Sequence, residues 1–281
     1  MQIASQKILS LIKLIRITRP IGIWLLLWPC LWSIAAHSGL GQIKVILIFI
    51  FGSILMRSSA CIINDLFDRD LDRQVTRTKH RPLCNGELQV KDALILLVLL
   101  LIIAFILLMQ LNNYAIKLSL FATIAVILYP LMKRITYWPQ LFLGLTNNLG
   151  ALIASAAITG EITYLSMVLY LCGIFWTLGY DSIYAFQDLE DDMAAGVKSS
   201  AIKLQYHPKL YLGLFYLMQT ILLITIGIMG HLSFSYYYII LFAILHLGWQ
   251  IISLDITSVA NCLTRFKSNQ YLGAIIFCAL I

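Results

Sequence analysis

The sequence predicts an all-α fold, a polytopic transmembrane helical bundle, and three observations carry that expectation. Hydrophobic residues occupy 60% of the 281 positions and charged residues only 12%. Mean hydropathy is +0.88. Apolar runs long enough to cross a bilayer recur at intervals of about 20 residues, which ordinary globular domains do not show. One integral membrane domain over residues 1–281 is expected, without linkers or low-complexity segments.

The amino-terminal stretch MQIASQKILSLIKLIRITRP is amphipathic and basic and has no small-residue cleavage site, so the apolar segment behind it is expected to remain as the first span. Apolar segments then fall near 21–37, 45–63, 93–111, 116–132, 139–157, 164–186, 211–229, 236–254 and 271–281. Eight are of spanning length. The ninth has about half the residues needed for a hydrocarbon core of roughly 30 Å at 1.5 Å per residue, which predicts a partial final helix.

If the amino terminus is cytoplasmic, seventeen of the twenty Lys and Arg residues lie in inside segments, among them Arg265 and Lys267 before the last span. The exceptions are Lys44, Lys117 and Arg57, the last sitting within the second span and close enough to its end to snorkel. This asymmetry fixes the orientation by the positive-inside rule. It also explains the net charge of +7 as topology; no soluble basic domain exists to bind nucleic acid. The six cysteines contain no C-x-x-C pair and mostly accompany apolar segments, which suggests neither disulfides nor a zinc site, and the five histidines have no metal-ligand spacing.

The charge pattern then singles out two places. Eight of the thirteen acidic residues lie in 65–72 and 188–192. Asn64, Asp68 and Asp72 are spaced i, i+4, i+8, so a continuing second helix would stack them on one face, with Asp65 beside them. Asp188 and Asp192 repeat the i, i+4 spacing, and Asp181 and Tyr184 fall on nearly the same stripe. A solvated acidic helix end explains one such cluster, but two clusters beside a membrane need counter-charge. A hard cation with oxygen ligands supplies it, and Mg²⁺ typically combines one or two carboxylates with substrate phosphates. Fixed cations for a diphosphate are available at Arg69, Arg73, Arg77, Lys79, Arg81, Lys133, Arg134, Lys198 and Lys203, although some of these serve as topology anchors. The connections carrying the clusters, 64–92 and 187–210, are long for structureless loops, which marks them as functional.

NDLFDRDLDRQVTRTKHRP resembles the N-D-x-x-D-x-x-x-D motif of the UbiA superfamily of intramembrane prenyltransferases, and YDSIYAFQDLEDD resembles its second motif. RPIGIWLLLWPCLW, RTKHRPLCNGEL, YPLMKRITYWPQLFLG, GVKSSAIKL and CLTRFKSNQYLG extend the likeness nearly end to end, most strongly toward the branch that prenylates 4-hydroxybenzoate in ubiquinone biosynthesis. The resemblance implies about nine helices around a central cavity, open laterally to lipid and capped by cytoplasmic loops. It implies that Asn64, Asp68, Asp72, Asp188 and Asp192 hold Mg²⁺ and diphosphate, with Asp68, Asp72, Asp188, Asp192 and Arg134 catalytic. It implies substrate contacts from Asn64, Arg69, Lys133, Tyr184, Asp191 and Lys198. The partners expected are a polyprenyl diphosphate, 4-hydroxybenzoate and the lipid bilayer of a bacterial-type inner membrane, with no obligate protein partner. Two alternatives stay open: another acceptor for the same chemistry, and an ion-coupled transporter, which would place its ionisable residues near the bilayer midplane.

Overall fold

The computed structural model describes residues 2–73 and 78–281, with side chains from residue 6 onward. The amino-terminal helix α1 (Gln2–Leu14) is docked across the ends of two spans: Leu14 is buried with Ile62, Leu83, Leu88 and Ala93, and Lys7 pairs with Asp92 at 2.7 Å. The spans that follow are α2 (Ile21–Ser38) and α3 (Ile43–Phe67). After the short α4 (Arg69–Asp72) comes α5 (Val90–Leu108), started by a reciprocal Gln89/Asp92 capping box. Asn112 caps α6 (Asn113–Leu128) by accepting from the Ala115 amide; a 3₁₀ turn around Pro130 and the short α7 (Met132–Ile135) complete that crossing.

The next crossing is split into α8 (Pro139–Asn147) and α9 (Leu149–Thr159). Asn148 sits at the break, and its side chain donates to the Gly144 carbonyl and to the Thr177 hydroxyl of α10 (Tyr164–Ala185). After α10 a 3₁₀ turn leads into α11 (Leu189–Ala195), which Gly196 ends at φ 68°, a left-handed conformation that glycine adopts without penalty. Then come α12 (Ser200–Leu204), α13 (Pro208–Met229), α14 (Phe234–Ile252) and α15 (Val259–Leu280).

Among the described residues, eight crossings meet the length and apolarity needed for a membrane span, so this is a multi-pass membrane protein. The core lies where α2 and α10 meet α15. Trp32 and Trp176 pack there with ring centroids 4.9 Å apart, and the Trp32 indole donates to the Gly273 carbonyl at 2.9 Å. Gly273 is needed for that approach, since a Cβ would lie 2.1 Å from the Trp28 ring. By contrast α5 and α6 bury little and present Leu99, Ile103, Phe121 and Ile124 outward. They form the thin wall of a chamber described below.

Two expectations are corrected. The last helix is not partial: α15 begins at Val259 and runs for 22 residues. Arg265 and Lys267 therefore lie within a helix and not in a connection. Hydropathy missed its first turns because their polar side chains are bonded internally, Arg265 to the Ser253 and Asn261 carbonyls and Asn269 across to α10 and α14. Likewise the long connections are not structureless, since they contain α4, α11 and α12.

Candidate active site

The first motif sits at a kink that preserves helical register. α3 ends at Phe67, yet the Asp68 amide still donates to the Asn64 carbonyl and the Asp72 amide to the Asp68 carbonyl, at 2.9 and 2.8 Å. Asp68 and Asp72 are both buried on the inner side of this turn, and Asn64 is half-buried one turn earlier. Lys133, at the end of the α6 crossing, meets Asp68 Oδ2 at 2.5 Å. Asp68 Oδ1 is buried without a hydrogen-bond partner. Burial pushes the Asp68 carboxyl above the ordinary carboxylate range, and Lys133 opposes that shift.

Lys133 faces a polar cavity of about 180 Å³ that is also lined by Asp181, Tyr184, Asp188, Asp192 and Lys198. The fold thus brings one motif to the other through a lysine. Lys198 is fixed at the rim, its amide donating to the Lys133 carbonyl and its ammonium to the Ile135 carbonyl at 3.1 Å. Ser199 also lines the cavity and keeps a buried hydroxyl without a partner. The cavity therefore offers two ammonium groups, an unpartnered hydroxyl and carboxylates, a donor set matched to a phosphate-bearing ligand with its metal.

Among the described residues, no three carboxylate, histidine or cysteine side chains already converge on one point. Mg²⁺ itself takes few protein carboxylates and completes its shell with water and phosphate oxygens. The unpartnered Asp68 Oδ1 is the structural feature that most directly fits such a ligand, because a buried carboxylate oxygen left without a donor is costly unless a cation reaches it.

The remaining residues of the motifs lie elsewhere. Asp65 pairs with Arg16 at 2.5 Å and with Arg81 at 3.0 Å, and Arg81 also holds Asp72. Asp70 is exposed beside Arg69 and Arg73. Arg69, Asp191 and Arg134 do not line the cavity; Arg134 instead donates to the Phe67 carbonyl at 2.9 Å, capping the end of α3 just before Asp68. Lys203 stacks over the Tyr137 ring, 4.6 Å from its centroid. Lys79 is exposed, and Arg77 lies outside the described residues.

The bundle also holds an apolar chamber of about 580 Å³ between α3, α5, α6 and α9. Arg57 reaches toward the end of the bundle at which α2 begins, as its place near the end of the second span predicts. Its guanidinium lines the chamber and packs against Gly22, where a Cβ would lie 2.3 Å from Nε. Arg57 lines the chamber, whereas Tyr129 and Asp181 line the polar cavity. Spacing had already put Asp181 on the second stripe. Tyr129, Gln140 and Ser199 carried no such signal, since they are single polar residues beside YP, PQ and KSS, brought together only by packing.

Comparison with known proteins agrees with this geometry. A mitochondrial 4-hydroxybenzoate polyprenyltransferase of Arabidopsis thaliana is 44% identical over 273 residues, covering 96% of this chain and 67% of that relative. The apo structure of a UbiA homolog from Aeropyrum pernix superposes with a TM-score of 0.78 at 20% identity, covering 92% of this chain and 96% of the other. The UbiA homolog from Archaeoglobus fulgidus, solved with DMAPP and Mg²⁺, gives 0.67 at 19% identity, covering 95% and 99%. Residues 26–278 match the profile described as the UbiA prenyltransferase family. With paired aspartate motifs at one end of a helical bundle and a sequence match along nearly its whole length, the chain belongs to the UbiA prenyltransferase family.

Proposed function

We propose that this protein transfers a polyprenyl group from a polyprenyl diphosphate to the ring of 4-hydroxybenzoate, ortho to the hydroxyl, releasing diphosphate in ubiquinone biosynthesis. The observation that carries the reading is a polar cavity lined by Lys133, Asp188, Asp192 and Lys198 in a bundle that also holds an apolar chamber suited to an isoprenoid. The name of the 44% identical relative supports the acceptor.

On this reading Asn64, Asp68 and Asp72 from one side and Asp188 and Asp192 from the other hold Mg²⁺ and the diphosphate. Bound Mg²⁺ supplies compensation for the negative charge that gathers on the leaving group. Lys133 and Lys198 bind the outer phosphate oxygens, and Ser199 donates a neutral hydrogen bond. As the allylic C–O bond breaks, its electron pair leaves with the diphosphate. The ring carbon ortho to the phenol then forms the new C–C bond, and its proton passes to an oxygen of the departing diphosphate. On the same reading Arg57, which lines the chamber, meets the acceptor's carboxylate. Arg134 acts by position, holding the end of α3 on which Asp68 sits. The apolar walls exclude water from the carbocation. The same reading sets the protein in an inner membrane of bacterial type, with the amino terminus and both motifs on the cytoplasmic side.

Membranes containing the protein, incubated with labelled 4-hydroxybenzoate, a polyprenyl diphosphate and Mg²⁺, are expected to yield lipid-extractable label. Asp68→Ala and Asp188→Ala are each expected to lower it about 100-fold or more. No label with the wild type, or undiminished label with either variant, overturns the assignment.

A further inference from the structure

We propose that Gly52 sets the bore of the apolar chamber and thereby decides how long an isoprenoid donor the protein can use, an inference that rests on the prenyl-transfer reading above. Gly52 lies in the interior of α3, where glycine weakens a helix relative to alanine. Backbone conformation does not require it, because the positive-φ glycines among the described residues are Gly39, Gly86, Gly160 and Gly196. Packing does not require it either: a Cβ at Gly52 would meet no atom within 4 Å. Gly150, which lines the same chamber, differs in this respect, since a Cβ there would lie 2.3 Å from Cys30 Sγ. What the missing side chain leaves at Gly52 is open volume in the chamber wall.

The position along α3 says which donors would notice. Gly52 precedes Asp68 by sixteen residues, or about 24 Å at 1.5 Å per residue. An extended carbon chain advances about 1.2 Å per bond, so a geranyl group reaches only about 10 Å from its diphosphate and stops short of Gly52. An octaprenyl chain passes it. A side chain at residue 52 therefore stands in the path of a long donor and clear of a short one.

The test compares kcat/KM for geranyl and octaprenyl diphosphate, each with 4-hydroxybenzoate and Mg²⁺, in full-length protein reconstituted in lipid. The series is wild type, Gly52→Ala, Gly52→Leu and Gly52→Phe. The octaprenyl-to-geranyl ratio is expected to fall stepwise with side-chain size, by about tenfold or more for the largest variant that folds, while geranyl transfer stays within about twofold of wild type. A wild type that transfers both donors, with variants that lower both equally or alter neither, overturns the assignment of Gly52 alone. A wild type that transfers neither overturns the prenyl-transfer reading, and this inference with it.

Discussion

Asp65 and Asp68 stand three positions apart, both buried, and their surroundings assign them different work. Asp65 is enclosed by two guanidinium groups, Arg16 and Arg81, and through Arg81 it is tied to Asp72. Removing the charge of Asp65, itself 1% exposed, leaves two half-buried guanidinium groups together, of which Arg81 keeps Asp72. Asp65→Asn is expected to cost about 3 kcal/mol, the scale for breaking a buried ion pair from one side. Asp68 meets a lysine that borders a polar cavity, where water can take over solvation, and its second oxygen has no partner to lose. Asp68→Asn is therefore expected to abolish transfer with a much smaller loss of stability. Unfolding midpoints in detergent distinguish the two; an Asp68→Asn loss equal to that of Asp65→Asn would show that Asp68 is a structural charge as well. Spacing alone did not separate these aspartates, because Arg16 approaches from the turn after α1 and Arg81 from the far side of a connection.

At the scale of the element, α15 shows why hydropathy reads some helices and not others. Lipid-facing helices such as α5 must be apolar nearly throughout, because no water is available there to bond a polar side chain, and their order along the chain was legible for that reason. α15 faces inward for much of its length. Its Asn269 accepts from the Trp176 indole at 2.8 Å and exchanges hydrogen bonds with Gln250, which in turn accepts from the Tyr216 hydroxyl. This network joins α10, α13, α14 and α15, and every bond in it depends on residues distant in sequence. Asn269→Leu would leave the buried amide of Gln250 and the Trp176 indole short of partners and is expected to cost about 2 kcal/mol. Lys267→Ala, an exposed change on the same helix, is expected to leave stability within about 0.5 kcal/mol. Equal midpoints for the two variants would show that the network does not hold α15 to the bundle.

The whole molecule is polarised: Lys133 links the first motif to the cavity of the second, and Lys198 is tied by its amide to the Lys133 carbonyl, so both motifs share one end of the bundle. That common end was legible in the sequence, since an even number of expected spans separates the clusters and most of the basic residues fall in the same set of segments by sequence. The polar cavity and the apolar chamber were not, because their walls come from segments whose convergence only packing decides. The polarity makes a geometric prediction. Glu161 is exposed in the connection before α10, and Glu190 is exposed in α11 beyond its other end. The 22 residues of α10 separate them by about 33 Å, slightly more than a hydrocarbon core of about 30 Å. With Cys84 and Cys278 replaced by alanine, Glu161→Cys and Glu190→Cys should take a membrane-impermeant maleimide from opposite sides. Right-side-out vesicles should label Glu161→Cys, and inverted vesicles should label Glu190→Cys. Labelling of both variants from one side would contradict the crossing of α10, whereas the reverse pattern would keep the crossing and invert the orientation inferred from charge.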